Sequence, residues 1–88
     1  MCRRIKFNPK VTYFKPRGVP IRNLELIHLS TEEAETLRLK DVFNLSQIEC
    51  AKKMNTSQST FQRILSRARK KVSQAIIQGK SIEIEIEK

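Results

Sequence analysis

Apolar residues along positions 57–79 recur at a helical spacing. Phe61, Ile64, Leu65, Ala68, Val72, Ala75 and Ile76 fall on one stripe of a 3.6-residue helix, with Ser59, Arg63, Arg67 and Lys70 on the far side. Ser57 stands at the N-cap position, and Gly79 stands where a left-handed residue would stop the helix. A shorter helix precedes it. Ser46-Gln47-Ile48-Glu49 spells a capping box, and Ile48, Ala51 and Met54 share one side with Cys50 nearby. It is expected to end near Met54, with Asn55 in the left-handed conformation that Asn tolerates. Ser30-Thr31-Glu32-Glu33 opens the first helix with the same grammar, with Leu29 and Ala34 at staple positions. The pattern predicts that helix over 31–43, burying Ala34, Leu37 and Val42 or Phe43.

The two ends follow a different pattern. Pro9, Pro16, Gly18 and Pro20 interrupt the first block, which reads as an extended arm over 1–29. Val11, Tyr13, Phe14, Val19 and Ile21 are expected to pack over the helices. At the other end Ile82, Ile84 and Ile86 alternate with Glu83, Glu85 and Glu87, the signature of a strand with one apolar face. Arg4-Ile5-Lys6-Phe7 alternates in the same way, so these two stretches are expected to pair, within one chain or between two. Such a ribbon is marginal alone and should lean on the helices or a second subunit. The 88 residues and 10.3 kDa thus make one mainly α domain, with an arm (1–29), a helical core (30–79) and a C-terminal strand (80–88).

Charge sharpens the picture. Lys and Arg number 18 against 9 acids, a formal net charge of +9. Seven bases and no acid occupy 1–22, six acids lie in 23–49, and seven bases with no acid occupy 50–71. This points to a polyanionic partner, nucleic acid before membrane. No apolar run is long enough to span a bilayer and no secretory leader is apparent, so a cytoplasmic, nucleoid-associated location is expected. Cys2, Cys50 and the single His28 form no zinc-type cluster, and a site shared by the three would want a fourth ligand that the spacing does not nominate. Cys50 is expected to fill a core position. No nucleophile–base pair and no glycine-rich loop stand out, and no partner is suggested for His28. Neither an enzyme nor a cofactor is expected.

Two capped helices joined by a tight turn, the second basic on its outer face, describe a helix-turn-helix. Its third helix would enter the major groove of duplex DNA with Ser57, Gln58, Ser59, Thr60 and Gln62 at its front. Arg63 and Arg67 lie one and two turns further on, within reach of a base edge or a phosphate. Lys52, Lys53 and Lys70 are candidate phosphate contacts, and Lys15 and Arg17 of the arm could reach a phosphate or the adjacent minor groove.

The stretches Leu45-Ser46-Gln47-Ile48-Glu49-Cys50-Ala51 and Ser57-Gln58-Ser59-Thr60-Phe61-Gln62-Arg63-Ile64-Leu65 resemble the helix-turn-helix of the fourth region of sigma factors. Cys2-Arg3-Arg4-Ile5, Phe14-Lys15-Pro16-Arg17-Gly18-Val19-Pro20 and Ser59-Thr60-Phe61-Gln62-Arg63-Ile64-Leu65 together resemble a family of small uncharacterised prokaryotic proteins predicted to bind DNA. The resemblance implies a sigma-like DNA-binding fold with a regulatory role. It implies no target. The chain is expected to end in its Ile/Glu strand without the further domain that some relatives carry, and not to be a complete sigma factor. The expectation is a sequence-specific DNA-binding transcriptional regulator, acting as a homodimer so that two half-sites are read. RNA binding, or docking on the transcription machinery, is the alternative use of the same basic surface. No small-molecule effector can be named.

Overall fold

Hydroxyl caps set the start of every helix. In the computed structural model, which describes residues 12–20 and 23–85, Ser30, Ser46 and Ser57 each take an extended conformation and accept a hydrogen bond from the amide three residues on. The described residues form strand β1 (Tyr13–Phe14), strand β2 (Leu26–Leu29), helix α1 (Thr31–Thr36) running into π-helical turns over Leu37–Val42, helix α2 (Gln47–Lys53), helix α3 (Gln58–Gln78) and strand β3 (Ser81–Ile84). The result is mostly α, three helices against a small three-stranded sheet. Both expected capping boxes are present, through Glu33 and Glu49. Asn55 sits at φ 55° and Gly79 at φ 67°, the left-handed geometry expected at the two helix ends.

The first helix departs from its expected course. Its second half closes hydrogen bonds on the fifth residue back, as in Phe43 N–H to the Arg38 carbonyl at 3.0 Å, instead of the fourth. This wider turn rotates the stripe. Leu39 is buried and Leu37 half-buried, whereas Val42 and Phe43, expected in the core, stand 71% and 55% exposed. The same spacing carries the Arg38 guanidinium over the Phe43 ring, 5.0 Å from its centroid. Asn44, at φ 57°, then turns the chain toward α2.

The core has two parts joined by α3. Phe61 and Leu65 pack with Leu39, Cys50, Ala51 and Met54, while Ala68 packs with Leu29, Ala34 and Ile84. Leu37 touches both groups. Cys50 is fully buried, as expected, and burial pushes its thiol pKa up, so it behaves as a small apolar side chain. Other positions expected inside lie outside. Ile48 and Ile76 are exposed, since α2 turns only Cys50 and Ala51 inward and the buried side chains of α3 stop at Ala75. Tyr13 and Phe14, expected to pack over the helices, are exposed on the edge strand β1, Val19 is half-buried, and Val11 and Ile21 lie outside the described residues.

The C-terminal strand leans on the helices, but its described partners differ from the expected one. β3 is the central strand, antiparallel to β1 and parallel to β2. Residues 4–7, the expected partner, lie outside the described residues. Ile82 faces Phe14 on one side and Ile27 on the other, and Glu83 faces Tyr13 and His28. The part of the arm that is described therefore contributes two strands. The turn between them holds Gly18 at φ 83°.

The π-helical register is checked by paired truncations. Leu39→Ala is expected to lower the unfolding free energy by about 2–5 kcal/mol, and Val42→Ala to change it by less than about 0.5 kcal/mol, in urea titrations. A regular α-helix through 43 predicts a larger cost at Val42.

Candidate nucleic-acid interface

The turn from α2 to α3 is four residues, Met54 to Ser57, and hydrogen bonds leave it little freedom. Met54 N–H donates to the Cys50 carbonyl, Asn55 N–H to Lys52 and Thr56 N–H to Ala51, all within 3.1 Å. Met54 and Phe61 are fully buried on either side of the turn, so the two helices share one core. A further tie was not foreseen. The Gln47 amide, in the first residue of α2, donates to the Gln58 carbonyl at 3.3 Å and links the starts of the two helices.

This frame presents the front of α3. Gln58, Ser59, Gln62, Arg63, Arg67 and Lys70 are all exposed along it, and Lys52 and Lys53 are exposed on α2. Ser57 and Thr60 stand at the same edge with their hydroxyls engaged. Ser57 Oγ accepts from Thr60 N–H at 3.1 Å and donates to Thr60 Oγ1 at 2.9 Å. Gln62 reaches Ser66 at 3.4 Å, a weak exposed contact. Ser59 Oγ lies 3.3 Å from Ser57 Oγ, a similarly loose contact, so Gln58, Ser59, Gln62 and Arg63 are the exposed candidates least engaged within the chain.

The bases of 50–71 divide into two sets. Arg69 makes a two-pronged pair with Asp41 at 3.0 and 2.6 Å, tying α3 to the π-helical turns. The hydrogen bonds from Arg69 hold the Asp41 carboxyl below the ordinary carboxylate range. Lys71 donates to Glu33 Oε1 at 2.8 Å and to the His28 carbonyl at 2.7 Å. Glu33, 2% exposed, also accepts from Ser30 N–H at 2.9 Å and lies 4.0 Å from the Arg67 guanidinium. Lys52, Lys53, Arg63 and Lys70, by contrast, have no acidic partner among the described residues. Glu33 was legible only as a cap residue, since nothing local announces a partner 38 positions away.

The remaining candidates are not gathered here. Lys15 borders the same open hollow as Ala75, Ile76 and Gly79 at the opposite end of α3 and donates to the Val19 carbonyl at 3.0 Å, with Arg17 in the turn just beyond. His28 does have a partner: its Nδ1 is 3.1 Å from Glu83 Oε1. Glu83 Oε2 accepts from the Tyr13 hydroxyl at 2.7 Å, and this hydrogen bond raises the Tyr13 pKa. Cys50 belongs to the helical core, His28 to an exposed row of the sheet, and Cys2 lies outside the described residues. Among the described residues no group of three His, Cys, Asp or Glu could hold a metal ion, and no helix is long and apolar enough to cross a membrane.

The chain as a whole matches a family of uncharacterised prokaryotic proteins. The model of that family, described as "Protein of unknown function DUF134", matches residues 1–87, and the chain is a member of it. It is similar to UPF0251 proteins of Desulforudis audaxviator (54% identity over 96% of this chain and 55% of the relative), Dehalococcoides mccartyi (56%, covering 96% and 72%) and Halothermothrix orenii (48%, covering 94% and 62%). The chain spans 55–72% of the length of these curated relatives. No solved structure matches it.

The two ion pairs that seat α3 differ in burial, and their removal should differ accordingly. Glu33→Ala is expected to cost about 3 kcal/mol in denaturant titrations, at the lower end for a broken buried pair because Lys71 can turn to solvent. Asp41→Asn should cost less than about 1 kcal/mol at pH 7, since both partners are partly exposed. Asp41 is more acidic folded than unfolded, so its contribution is complete above its ordinary value of 3.8 and fades as pH falls through the lowered one. The Asn variant and the native chain should therefore converge in stability as the pH is taken below the lowered value.

Proposed function

We propose that this protein is a sequence-specific duplex-DNA-binding protein and transcriptional regulator, with α2 and α3 acting as a helix-turn-helix of the sigma region-four type. The observation that supports this reading is the acid-free front of α3. Gln58, Ser59, Gln62 and Arg63 are exposed there, flanked by Lys52, Lys53 and Lys70 without acidic partners among the described residues. Short hydroxyl and amide side chains allow close approach to the major groove, where each offers both a donor and an acceptor. Arg63, one turn back, suits the O6 and N7 acceptors of a guanine. Lys52, Lys53 and Lys70 would meet phosphates, fixing register without reading sequence. Arg67 would meet a phosphate from a side chain that leans toward Glu33, which restrains its direction. Lys15 and Arg17, near the opposite end of α3, would add to long-range attraction more than to contact.

Salt titration and two substitutions test the reading. With about six phosphates neutralised per copy, log K against log salt should fall with a slope of about −5 on duplex DNA. In sequences selected from a random duplex pool, Arg63→Ala should lose about 1–3 kcal/mol of preference at one base pair. Lys70→Ala should weaken all sequences alike and reduce the slope by about one. Affinity for duplex RNA or single strands equal to that for duplex DNA would instead favour recognition by shape and phosphates.

A further inference from the structure

The turn between α2 and α3 is closed by its own backbone hydrogen bonds, and a side chain adds one more. Gln47, the first residue of α2, donates from Nε2 to the main-chain carbonyl of Gln58, the first residue of α3. Gln47 is half-buried, while Gln58 is exposed. The carbonyl belongs to the first turn of α3, so the tie restrains the backbone from which the Gln58 side chain leaves. The Gln58 side-chain amide itself has no hydrogen-bond partner among the described residues. Its neighbours on the front are less free. Ser59 Oγ lies 3.3 Å from Ser57 Oγ, Thr60 Oγ1 accepts from Ser57 at 2.9 Å, and the Gln62 amide reaches Ser66 Oγ at 3.4 Å.

We infer that Gln58 reads an adenine in the major groove and that Gln47 is its positioning residue, an inference that deepens the DNA-binding reading and rests on it. Adenine presents N7 as an acceptor and its N6 amino group as a donor side by side on its major-groove edge. A side-chain amide answers both at once, its nitrogen to N7 and its oxygen to N6, only while neither end is engaged elsewhere. Among Ser57, Gln58, Ser59, Thr60 and Gln62, that condition is met by Gln58.

A two-point contact from a long, flexible side chain depends on where that side chain starts, which must be held within about 0.5 Å of the productive place. Gln47 supplies the restraint at that point. Its uncharged donor neither repels phosphates nor competes with the bases of the strip. In the free chain the tie is open to water, and a duplex seated on α3 would exclude that water and strengthen it. Gln58 and Arg63 are five residues apart. That is about 7.5 Å along the helix, or about two steps of a duplex at roughly 3.4 Å each. With α3 lying along the groove, the adenine stands about two base pairs from the guanine that Arg63 suits.

Selection from a random duplex pool, run on the full native chain and its variants, tests this. Gln58→Ala should relax one adenine position by about tenfold or more and leave the guanine position sensitive to Arg63→Ala unchanged. Gln47→Met keeps length and charge but removes the donor. It should relax the same adenine position by about two- to tenfold, leave the guanine position as it was, and move the thermal midpoint of the free chain by less than about 4 °C. A merely structural role would instead lower the midpoint further and weaken every position alike. Added to Gln58→Ala, Gln47→Met should change nothing more at the adenine position, because it acts through Gln58. Gln47→Ala serves should the thioether disturb the packing. A selected sequence whose adenine positions ignore Gln58→Ala overturns the inference and leaves the DNA reading standing. So does a Gln47→Met protein that keeps the native preference or loses it equally at all positions. A native chain that enriches no sequence removes both.

Discussion

The Glu33 carboxylate is almost without contact with water, yet three residues reach it, one at the start of α1 and two on α3. It accepts the Ser30 amide at the start of α1 and the Lys71 ammonium from α3, and Arg67 approaches its second oxygen. Lys71 in turn donates to the His28 carbonyl of β2. A buried carboxylate tolerates this position only while these donors stay in place. The azimuth of α3 about its axis is therefore set relative to both α1 and the sheet. With that angle fixed, Phe61, Leu65 and Ala68 must face inward, and Ser59, Arg63 and Lys70 must face out. The apolar contacts give the helix its adhesion. The carboxylate gives it its rotation.

A second restraint acts through the π-helical turns. Their wider spacing brings Leu39 into the core with Phe61 and Leu65, and it places Asp41 against Arg69. Asp41 and Glu33 thus engage α3 at Arg69 and Lys71, two adjacent stretches of one helical turn. Arg69 and Lys71 fasten α3 to its neighbours, while Lys70 between them is exposed without an acidic partner among the described residues. One short basic run is divided by helix geometry into fastening and outward-facing residues.

Much of this could be read from the chain. Each helix start was legible because a serine hydroxyl at the N-cap, and a glutamate three residues on at two of them, satisfies amides by local geometry alone. Asn55 and Gly79 were legible for a similar reason, since few residues accept a positive φ. The course of 37–42 was not. Leu37, Leu39, Val42 and Phe43 offer apolar side chains at several phases, and the choice among them depends on where Leu39 meets Phe61. Ile76 misled because periodicity places a residue on a stripe without saying whether anything covers that end of it. The sheet was half legible. Alternation identified β3, but its described partners, Tyr13–Phe14 and Leu26–Leu29, are too short to show a period, and the row Tyr13, Glu83, His28 exists only once the register is set. The exposure of the candidate contacts on α3 followed from the stripe opposite to them. The loss of the Ser57 and Thr60 hydroxyls to capping followed from the cap itself and was the foreseeable cost of placing both at one helix end.

Net charge alone would treat all eighteen bases as equal contributors to attraction, and the structure argues against this. Arg38, Arg69, Lys71 and Lys80 each face a carboxylate within 3.3 Å. A base so paired adds little field beyond its neighbourhood, because the pair is a dipole whose influence falls off faster than that of a lone charge and is screened within about 8 Å at physiological salt. Among the described residues, Lys52, Lys53, Arg63 and Lys70 form the group of bases on α2 and α3 without acidic partners. They lie along one side of a single stiff helix and the short one packed beside it. Direction, more than magnitude, is what the paired acids provide: by engaging Arg38, Arg69, Lys71 and Lys80 they leave the other bases of α2 and α3 as a coherent strip. The apolar end around Ile76 lies beyond that strip.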